Sequence, residues 1–263
     1  MSEQHILYSV ADKIATITLN RPEVHNAFNE SVMDELTALV RKASADAGVR
    51  AVVLRGNGKS FCAGGDLNWM RKSAGYSYDE NVKDAMRLGV LLKELNFLAK
   101  PTIALVHGNI FGGGVVLTSC CDIVVAETGA QFCLSEVRIG LIPSIIAPYV
   151  INAMGERMAR RYFMTAERFD AETAYRIGFV HEVAAAGQLD AVAGKIISAL
   201  MDGAPSAQSR GKKLMLELVG KPIDERVIDL TVRQIAEARA SDEGKEGLNA
   251  FLNKTEPSWR KKA

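Results

Sequence analysis

At 263 residues the chain is long enough to bury most of the apolar surface its unfolded form exposes, as one large domain or two small ones. Its 32 lysines and arginines nearly balance 31 aspartates and glutamates, giving a net charge of +1 and no broad basic face for nucleic acid or acidic membrane. The polar start Met1-Ser2-Glu3-Gln4-His5, and the lack of any run near the roughly 18 apolar residues of a spanning helix, lead us to expect a soluble, cytoplasmic protein.

The first strand is expected at Ile14–Leu19, ending at Asn20-Arg21-Pro22, where proline disfavours further pairing. From Glu30, Val32, Met33, Leu36, Leu39, Val40 and Ala43 recur at helical spacing, and Ala51–Leu54 follows as a short apolar strand. The pattern repeats with a helix through Met86, Leu88, Leu91, Leu92, Leu95 and Leu98, then strands at Thr102–Val106 and Ile123–Ala126. This alternation predicts an α/β fold. After about Tyr149 strand signals fade, and helical patterns run through Leu189–Leu200 and Ile223–Ala240. We therefore divide the chain into a core at 1–200 and a helical C-terminal region at 201–263.

The four cysteines (Cys62, Cys120, Cys121 and Cys133) lack the paired spacing of a zinc ribbon and are expected to be buried and reduced. The four histidines are scattered without an i,i+3 or i,i+4 partner, so no metal site is expected. Two glycine-containing segments follow strands, Phe61–Leu67 and His107–Gly114. Glycine lets backbone approach a ligand closely, and the second segment leads into an apolar helix whose free N–H groups would face bound negative charge. A plain turn or a tight helix–strand contact is the competing reading of three successive glycines. Neither a phosphate-binding P-loop, nor a dinucleotide fingerprint, nor a G-x-S-x-G elbow is present.

Taken together, four ordered motifs resemble the crotonase (enoyl-CoA hydratase/isomerase) superfamily along nearly the whole chain. They are Asn20-Arg21-Pro22 with Asn26-Ala27; Ser60 through Leu67; Phe111-Gly112-Gly113-Gly114 with Cys121-Asp122-Ile123; and Ser135-Glu136 with Gly140-Leu141-Ile142-Pro143. The resemblance implies a spiral of ββα turns with a helical C-terminal trimerisation region, assembled as a homotrimer or a dimer of trimers. It also implies an acyl-CoA whose thioester oxygen lies between two backbone N–H groups, here those of Gly65 and Gly113. Coenzyme A is then part of the substrate, and no separate cofactor is expected.

Hydratases of this family carry one glutamate three residues after the oxyanion glycine and another before the Gly-x-x-Pro segment. Val116 occupies the first place here, and Glu136 keeps the second. As a single Glu, Glu136 could equally be a helix cap or a surface residue; the motif assigns it to proton transfer. One carboxylate can serve as base and then acid, which suits hydration and also C2–C4 proton shuttling in double-bond isomerisation. A non-catalytic acyl-CoA-binding member is a further reading, against which retained Glu136 argues.

The segment Pro143-Ser144-Ile145-Ile146-Ala147-Pro148-Tyr149 replaces the glycine run and Thr-Gln of many members. It resembles a bacterial subgroup acting on branched or glutaconyl-type acyl-CoAs, such as 3-methylglutaconyl-CoA hydratase. Val116, Trp69, Met70, Pro143 and Ile145 are expected to line the acyl pocket, and Arg71, Lys72 and Arg138 are candidate partners for a carboxylate tail, or ordinary surface cations. Coenzyme A is expected to meet Arg21, Val24, Phe61, Ala63, Gly64, Asp66 and Leu67, with Phe251 and Lys254 reaching it from a neighbouring subunit.

Overall fold

The computed structural model describes residues 4–260. The chain forms two compact units: the second begins at Lys195 and also takes in Ala99–Pro101, and the first comprises the described residues before it.

The first unit starts with the hairpin β1 (Ile6–Ala11) and β2 (Ile14–Leu19), closed by Asp12-Lys13, both with positive φ as a two-residue hairpin of the favoured hand requires. Next come α1 (Glu30–Ala45), β3 (Ala51–Gly56), α2 (Leu67–Ser73), α3 (Tyr78–Asn96), β4 (Thr102–Val106), β5 (Asn109–Phe111) and α4 (Gly113–Ser119). They are followed by β6 (Ile123–Glu127), β7 (Gln131–Cys133), α5 (Ala147–Met154), α6 (Glu156–Thr165), β8 (Phe169–Asp170), α7 (Ala171–Arg176) and β9 (Glu182–Ala184). The larger sheet has the order β1-β2-β3-β4-β6-β9, antiparallel only at β1–β2; a smaller sheet has the order β5-β7-β8.

The wholly apolar run Ala51–Leu54 and the largely apolar Thr102–Val106 are buried throughout, as expected of parallel strands covered on both faces. On α1, Val32, Met33, Leu36, Val40 and Ala43 form the buried stripe, and Asn29 caps the helix by accepting from the Val32 N–H at 2.9 Å. Asp122 locks the entry to β6 against β4: its carboxylate accepts from the Thr102 N–H (2.8 Å) and hydroxyl (3.0 Å).

β1 lies outside the expected elements because, as an edge strand, it buries only Ile6 and offers no apolar alternation. β7, β8 and β9 span three, two and three residues, too short for any periodicity to register. Their cohesion is tertiary. Beneath β7 and β8, Phe132 stacks on Phe169 at 5.3 Å, and Tyr162 lies 4.2 Å from Phe169, ring centre to ring centre.

α8 (Leu189–Asp202) runs from the first unit into the second, where α9 (Pro205–Leu218), α10 (Glu225–Ala240) and α11 (Asp242–Asn253) follow. Within that unit the Glu243 carboxylate accepts from the Ser206 and Ala207 N–H groups at the start of α9, an anion meeting the positive end of the helix dipole.

Gly108 joins β4 to β5 at φ +60°, where a methyl group would fall 1.9 Å from the Lys59 carbonyl oxygen. Gly108→Ala should therefore destabilise the protein by about 3–5 kcal/mol, combining backbone strain and overpacking. Gly129→Ala, with no atom within 4 Å of the added carbon, serves as the control. Urea unfolding of the two variants checks the difference; equal midpoints would show that the Gly108 turn yields freely.

Candidate active site

The site begins with a loop held from below. Asn26, only 2% exposed, accepts from the Arg21 N–H through Oδ1 (2.8 Å) and donates through Nδ2 to the carbonyls of Asn57 (2.9 Å) and Ser60 (2.8 Å). This satisfied amide sits at φ +56°, next to His25 at +54°, so two successive residues turn the chain sharply. The His25 carbonyl then accepts from the Ala63 N–H at 3.0 Å. Asn20-Arg21-Pro22 and Asn26-Ala27 are thus the anchor for the Ala63–Asp66 segment.

Arg21 extends the same scaffold. Its guanidinium donates to the Ala27 carbonyl (2.8 Å) and to Asp66 Oδ2 (2.9 Å), with both side chains largely buried. Asp66 in turn caps α2 by accepting from the Asn68 and Trp69 N–H groups. Burial alone would raise the Asp66 pKa; hydrogen bonds from Arg21, Asn68 and Trp69 outweigh it and hold the carboxyl below its ordinary range.

Parallel pairing then aligns the two glycine segments. Cys62 bridges Ile110, with the Cys62 N–H donating to Asn109 O (3.2 Å) and the Phe111 N–H to Cys62 O (2.9 Å). Three residues past each member of that bridge lie Gly65 and Gly113, at equal register. Both are partly exposed, whereas Gly64, Gly112 and Gly114 are buried. Neither the Gly65 nor the Gly113 N–H has an acceptor within the described residues. Gly113 opens α4, where the first N–H groups have no intrahelical partner. Gly65 pairs with Phe28 through the bonds Phe28 N–H to Gly64 O (2.8 Å) and Asp66 N–H to Phe28 O (2.7 Å), a pattern that turns its own N–H away from Phe28.

A second parallel pair delivers the carboxylate. β5 and β7 run side by side with Phe111 opposite Cys133, and the Gly112 N–H donates to Cys133 O at 2.9 Å. Just beyond, a 3-10 turn over Glu136–Ile139 brings Glu136 Oε1 to 3.5 Å from the position a Cβ on Gly112 would take. Gly112 has φ +47°, so both space and backbone conformation suit glycine there. Glu136 Oε2 is buried without a hydrogen-bond partner. Burial pushes the Glu136 pKa up, and a backbone hydrogen bond offsets this only in part. Glu136 thus stands beside Gly112, one residue before the unpaired Gly113 N–H, and a desolvated carboxylate there is suited to exchanging a proton with a bound ligand.

Comparison with known proteins gives the family. Residues 9–262 match the enoyl-CoA hydratase/isomerase family. The chain belongs to that family. An enoyl-CoA hydratase from Shewanella pealeana superposes with a TM-score of 0.95 at 41% identity, covering 98% of this chain and 97% of that one. Among curated relatives, an enoyl-CoA hydratase of Alternaria alternata is 34% identical over 93% of this chain and 80% of its own. A trans-2-decenoyl-[acyl-carrier-protein] isomerase of Streptococcus mutans is 27% identical over 98% and 99%.

Several expected contacts are placed differently by the structure. Phe61 is fully buried, and its N–H donates to His107 O at 2.9 Å. Arg21 and Asp66, both expected to meet coenzyme A, pair with each other at 2.9 Å. Val116, expected to line the acyl pocket, has no exposed surface and belongs to the hydrophobic core. Pro143 is buried, while Ile145 is half-buried against the core. Trp69 and Met70 flank Gly65: a Cβ there would lie 3.1 Å from Trp69 Cζ3 and 3.5 Å from Met70 Cγ. Val24 and Leu67 are exposed, and Ala63 is half-buried. Phe251 is exposed on α11, and Lys254 ends that helix in a left-handed conformation. Of the candidate cations, Lys72 pairs with Glu30 at 2.7 Å, Arg71 donates to Asn68 Oδ1, and Arg138 donates to the Ala166 carbonyl. The four cysteines are buried and form no disulfide among the described residues, and burial pushes the Cys62 thiol up to about 12, so it is inert as a nucleophile.

Two site residues escaped the sequence reading. Phe28 offers no signal beyond its place after Asn26-Ala27. Asp84, whose carboxylate accepts from Trp69 Nε1 at 3.1–3.2 Å, sits fifteen residues away on α3, and only folding joins the two.

Arg21→Met leaves Asp66 buried without its cation and should lower stability by about 3 kcal/mol at pH 7, the range for breaking a buried pair. Because the Asp66 pKa is depressed in the folded wild type, the stability it contributes is complete above its unfolded value of about 4 and fades as pH falls through the lower folded value. The gap between wild type and Arg21→Met should close correspondingly in acid. Chemical denaturation from pH 7 to pH 3 measures it; a gap independent of pH would show that Arg21 acts by packing alone.

Proposed function

We propose that the protein is an enoyl-CoA hydratase in which Glu136 is the sole proton-transfer carboxylate and the Gly65 and Gly113 N–H groups hold the thioester oxyanion. The observation that supports it most is the placement of Glu136 beside Gly112, one residue before the unpaired Gly113 N–H, on a loop that the Cys62–Ile110 bridge aligns with the Gly65 loop. As water attacks C3, Glu136 removes its proton; the electrons move through C2 to the thioester oxygen, where two N–H dipoles stabilise the charge. Glu136 then returns a proton to C2. Each such donor is worth roughly 3–4 kcal/mol of barrier in comparable oxyanion holes.

Isomerisation is the second reading, because the same carboxylate could move a proton between C4 and C2 through the same enolate, and a relative named as an isomerase spans the whole chain. The acyl class we favour is short or branched, with 3-methylglutaconyl-CoA as the leading case. Support comes from bulky Pro143–Pro148 in place of a glycine run and from Trp69 and Met70 beside Gly65. Arg138, two residues after Glu136, is the nearest candidate along the chain for a carboxylate tail.

Assembly as a trimer or a dimer of trimers is supported by the apolar stripe Ile228, Val232 and Ile235 on α10 and by exposed Leu248, Phe251 and Leu252 on α11. Val24, Ala63, Gly64 and Leu67 would meet the coenzyme A of their own subunit, and Phe251 and Lys254 that of a neighbour. No helix among the described residues is long and apolar enough to cross a membrane.

Glu136→Gln should lower kcat at least ~100-fold while leaving acyl-CoA binding intact, as loss of general acid–base catalysis does. The acid limb of kcat/KM in wild type should lie above the ordinary glutamate value of about 4.3, since burial disfavours the charged form. With the folded pKa raised, ionised Glu136 opposes folding at neutral pH, so Glu136→Gln should melt no lower than wild type at pH 7, and any gain should fade in acid. Turnover of crotonyl-CoA, 3-methylglutaconyl-CoA and a 3-enoyl-CoA decides among the readings. Unchanged kcat in Glu136→Gln on every substrate that turns over would sink the one-carboxylate mechanism.

A further inference from the structure

We infer that Phe28 is a positioning residue that sets the geometry of both oxyanion donors at once, an inference that rests on the assignment of Gly65 and Gly113 above. Its main chain and its side chain act on different loops. Through the main chain it pairs with the first: the Phe28 N–H donates to Gly64 O at 2.8 Å and the Phe28 carbonyl accepts from the Asp66 N–H at 2.7 Å, so the peptide units on either side of Gly65 are both bonded to one residue. Rotation about Gly65 would break one of these bonds, which fixes the direction of its N–H.

Through its ring Phe28 reaches the second loop. A Cβ on Gly113 would fall 2.6 Å from Phe28 Cδ2 and 2.7 Å from Cε2, closer than any real contact, so the ring lies directly against the Gly113 α-carbon. The ring cannot retreat, because Phe28 is 3% exposed and embedded in the main core with Val32, Leu54 and Val115. Two further contacts close the ensemble from the opposite side. A Cβ on Gly64 would lie 3.6 Å from Phe111 O, and one on Gly112 would lie 3.8 Å from the Gly64 α-carbon, so the loops already touch there. The separation of the two N–H groups is thus fixed between direct loop-to-loop contact on one side and Phe28 on the other.

The ring also explains why position 113 must be glycine. Gly113 has no positive φ, so its backbone would accept an alanine; what excludes a side chain is the phenyl ring. Gly64 and Gly112, by contrast, sit at φ +108° and +47°, where the backbone itself selects glycine. Phe28 is distinct from a residue that merely fills the core. Shrinking it leaves its main-chain bonds in place, frees the Gly113 peptide to move away from the oxyanion, and creates room for a Cβ at 113. An oxyanion hole misplaced by a fraction of an ångström loses transition-state stabilisation more than ground-state affinity.

The test uses the full-length protein, crotonyl-CoA turnover, and the infrared carbonyl stretch of bound butanoyl-CoA labelled with carbon-13 at the thioester carbon. Phe28→Leu, the conservative variant chosen to remain folded, should lower kcat ~10-fold or more with KM changed less than ~3-fold, and should shift the bound carbonyl stretch back toward its value in water. Gly113→Ala alone should lose at least ~100-fold in kcat. The double variant Phe28→Leu/Gly113→Ala should recover activity over Gly113→Ala by ~5-fold or more, because the side chain that excluded the methyl group is smaller. A folded Phe28→Leu with wild-type kcat and carbonyl stretch overturns the inference, as does a double variant whose losses multiply. If wild type turns over no enoyl-CoA and does not shift the carbonyl of bound butanoyl-CoA, the assignment of the oxyanion hole fails and this inference with it; a shifted wild-type carbonyl with an unresponsive Phe28→Leu leaves the assignment standing and removes Phe28 alone.

Discussion

The structure depends on parallel main-chain pairing carried past the ends of its strands. Beyond β2 and β3 the chain pairs again at the Phe28–Gly65 bridge, the segment after β3 also pairs with β5 at Cys62–Ile110, and beyond β5 and β7 comes the Gly112–Cys133 hydrogen bond. Each bridge pairs two segments far apart in sequence, and each ends where an N–H or a carboxylate is left unpaired. Backbone polar groups are otherwise almost always satisfied in a folded protein, so free N–H groups at Gly65 and Gly113 represent binding capacity held in reserve.

That capacity is kept by a scaffold that is polar beneath and apolar above. Asn26, Arg21 and Asp66 form a connected set of hydrogen bonds in which the principal donors and acceptors find partners, the condition under which buried polar groups rigidify a structure. The ring of Phe28 and the core residues around it press on the loops from the other side. Arg21 and Asp66, which sequence alone offers as ligand contacts, have their charges matched to each other and hold the loop.

Glu136 departs from this satisfaction, because its Oε2 is buried and unpartnered. A carboxylate in that condition is costly to ionise and well suited to exchanging a proton with a substrate that completes its surroundings. The aromatic cluster of Phe132, Phe169 and Tyr162 beneath β7 and β8 holds the short strands from which the Glu136 turn departs. Stability is thus concentrated under the group that is least stable where it stands.

The α/β alternation, the buried strands at Ala51–Leu54 and Thr102–Val106, the helices from Glu30 and through Leu91–Leu95, and the helical last third were all legible in the sequence, because period and apolar runs are local properties. The glycine segments and Glu136 were legible as motifs, since family order carries them regardless of geometry. What the sequence could not decide is which side of a residue faces what. Val116 reads as a pocket wall and is fully buried; Arg21 reads as a coenzyme A contact and is bound to Asp66; Phe28 gives no signal and touches both glycine loops. Those outcomes rest on contacts between residues such as 21 and 66 or 28 and 113, which no local pattern encodes, and only the tertiary structure brings them within reach.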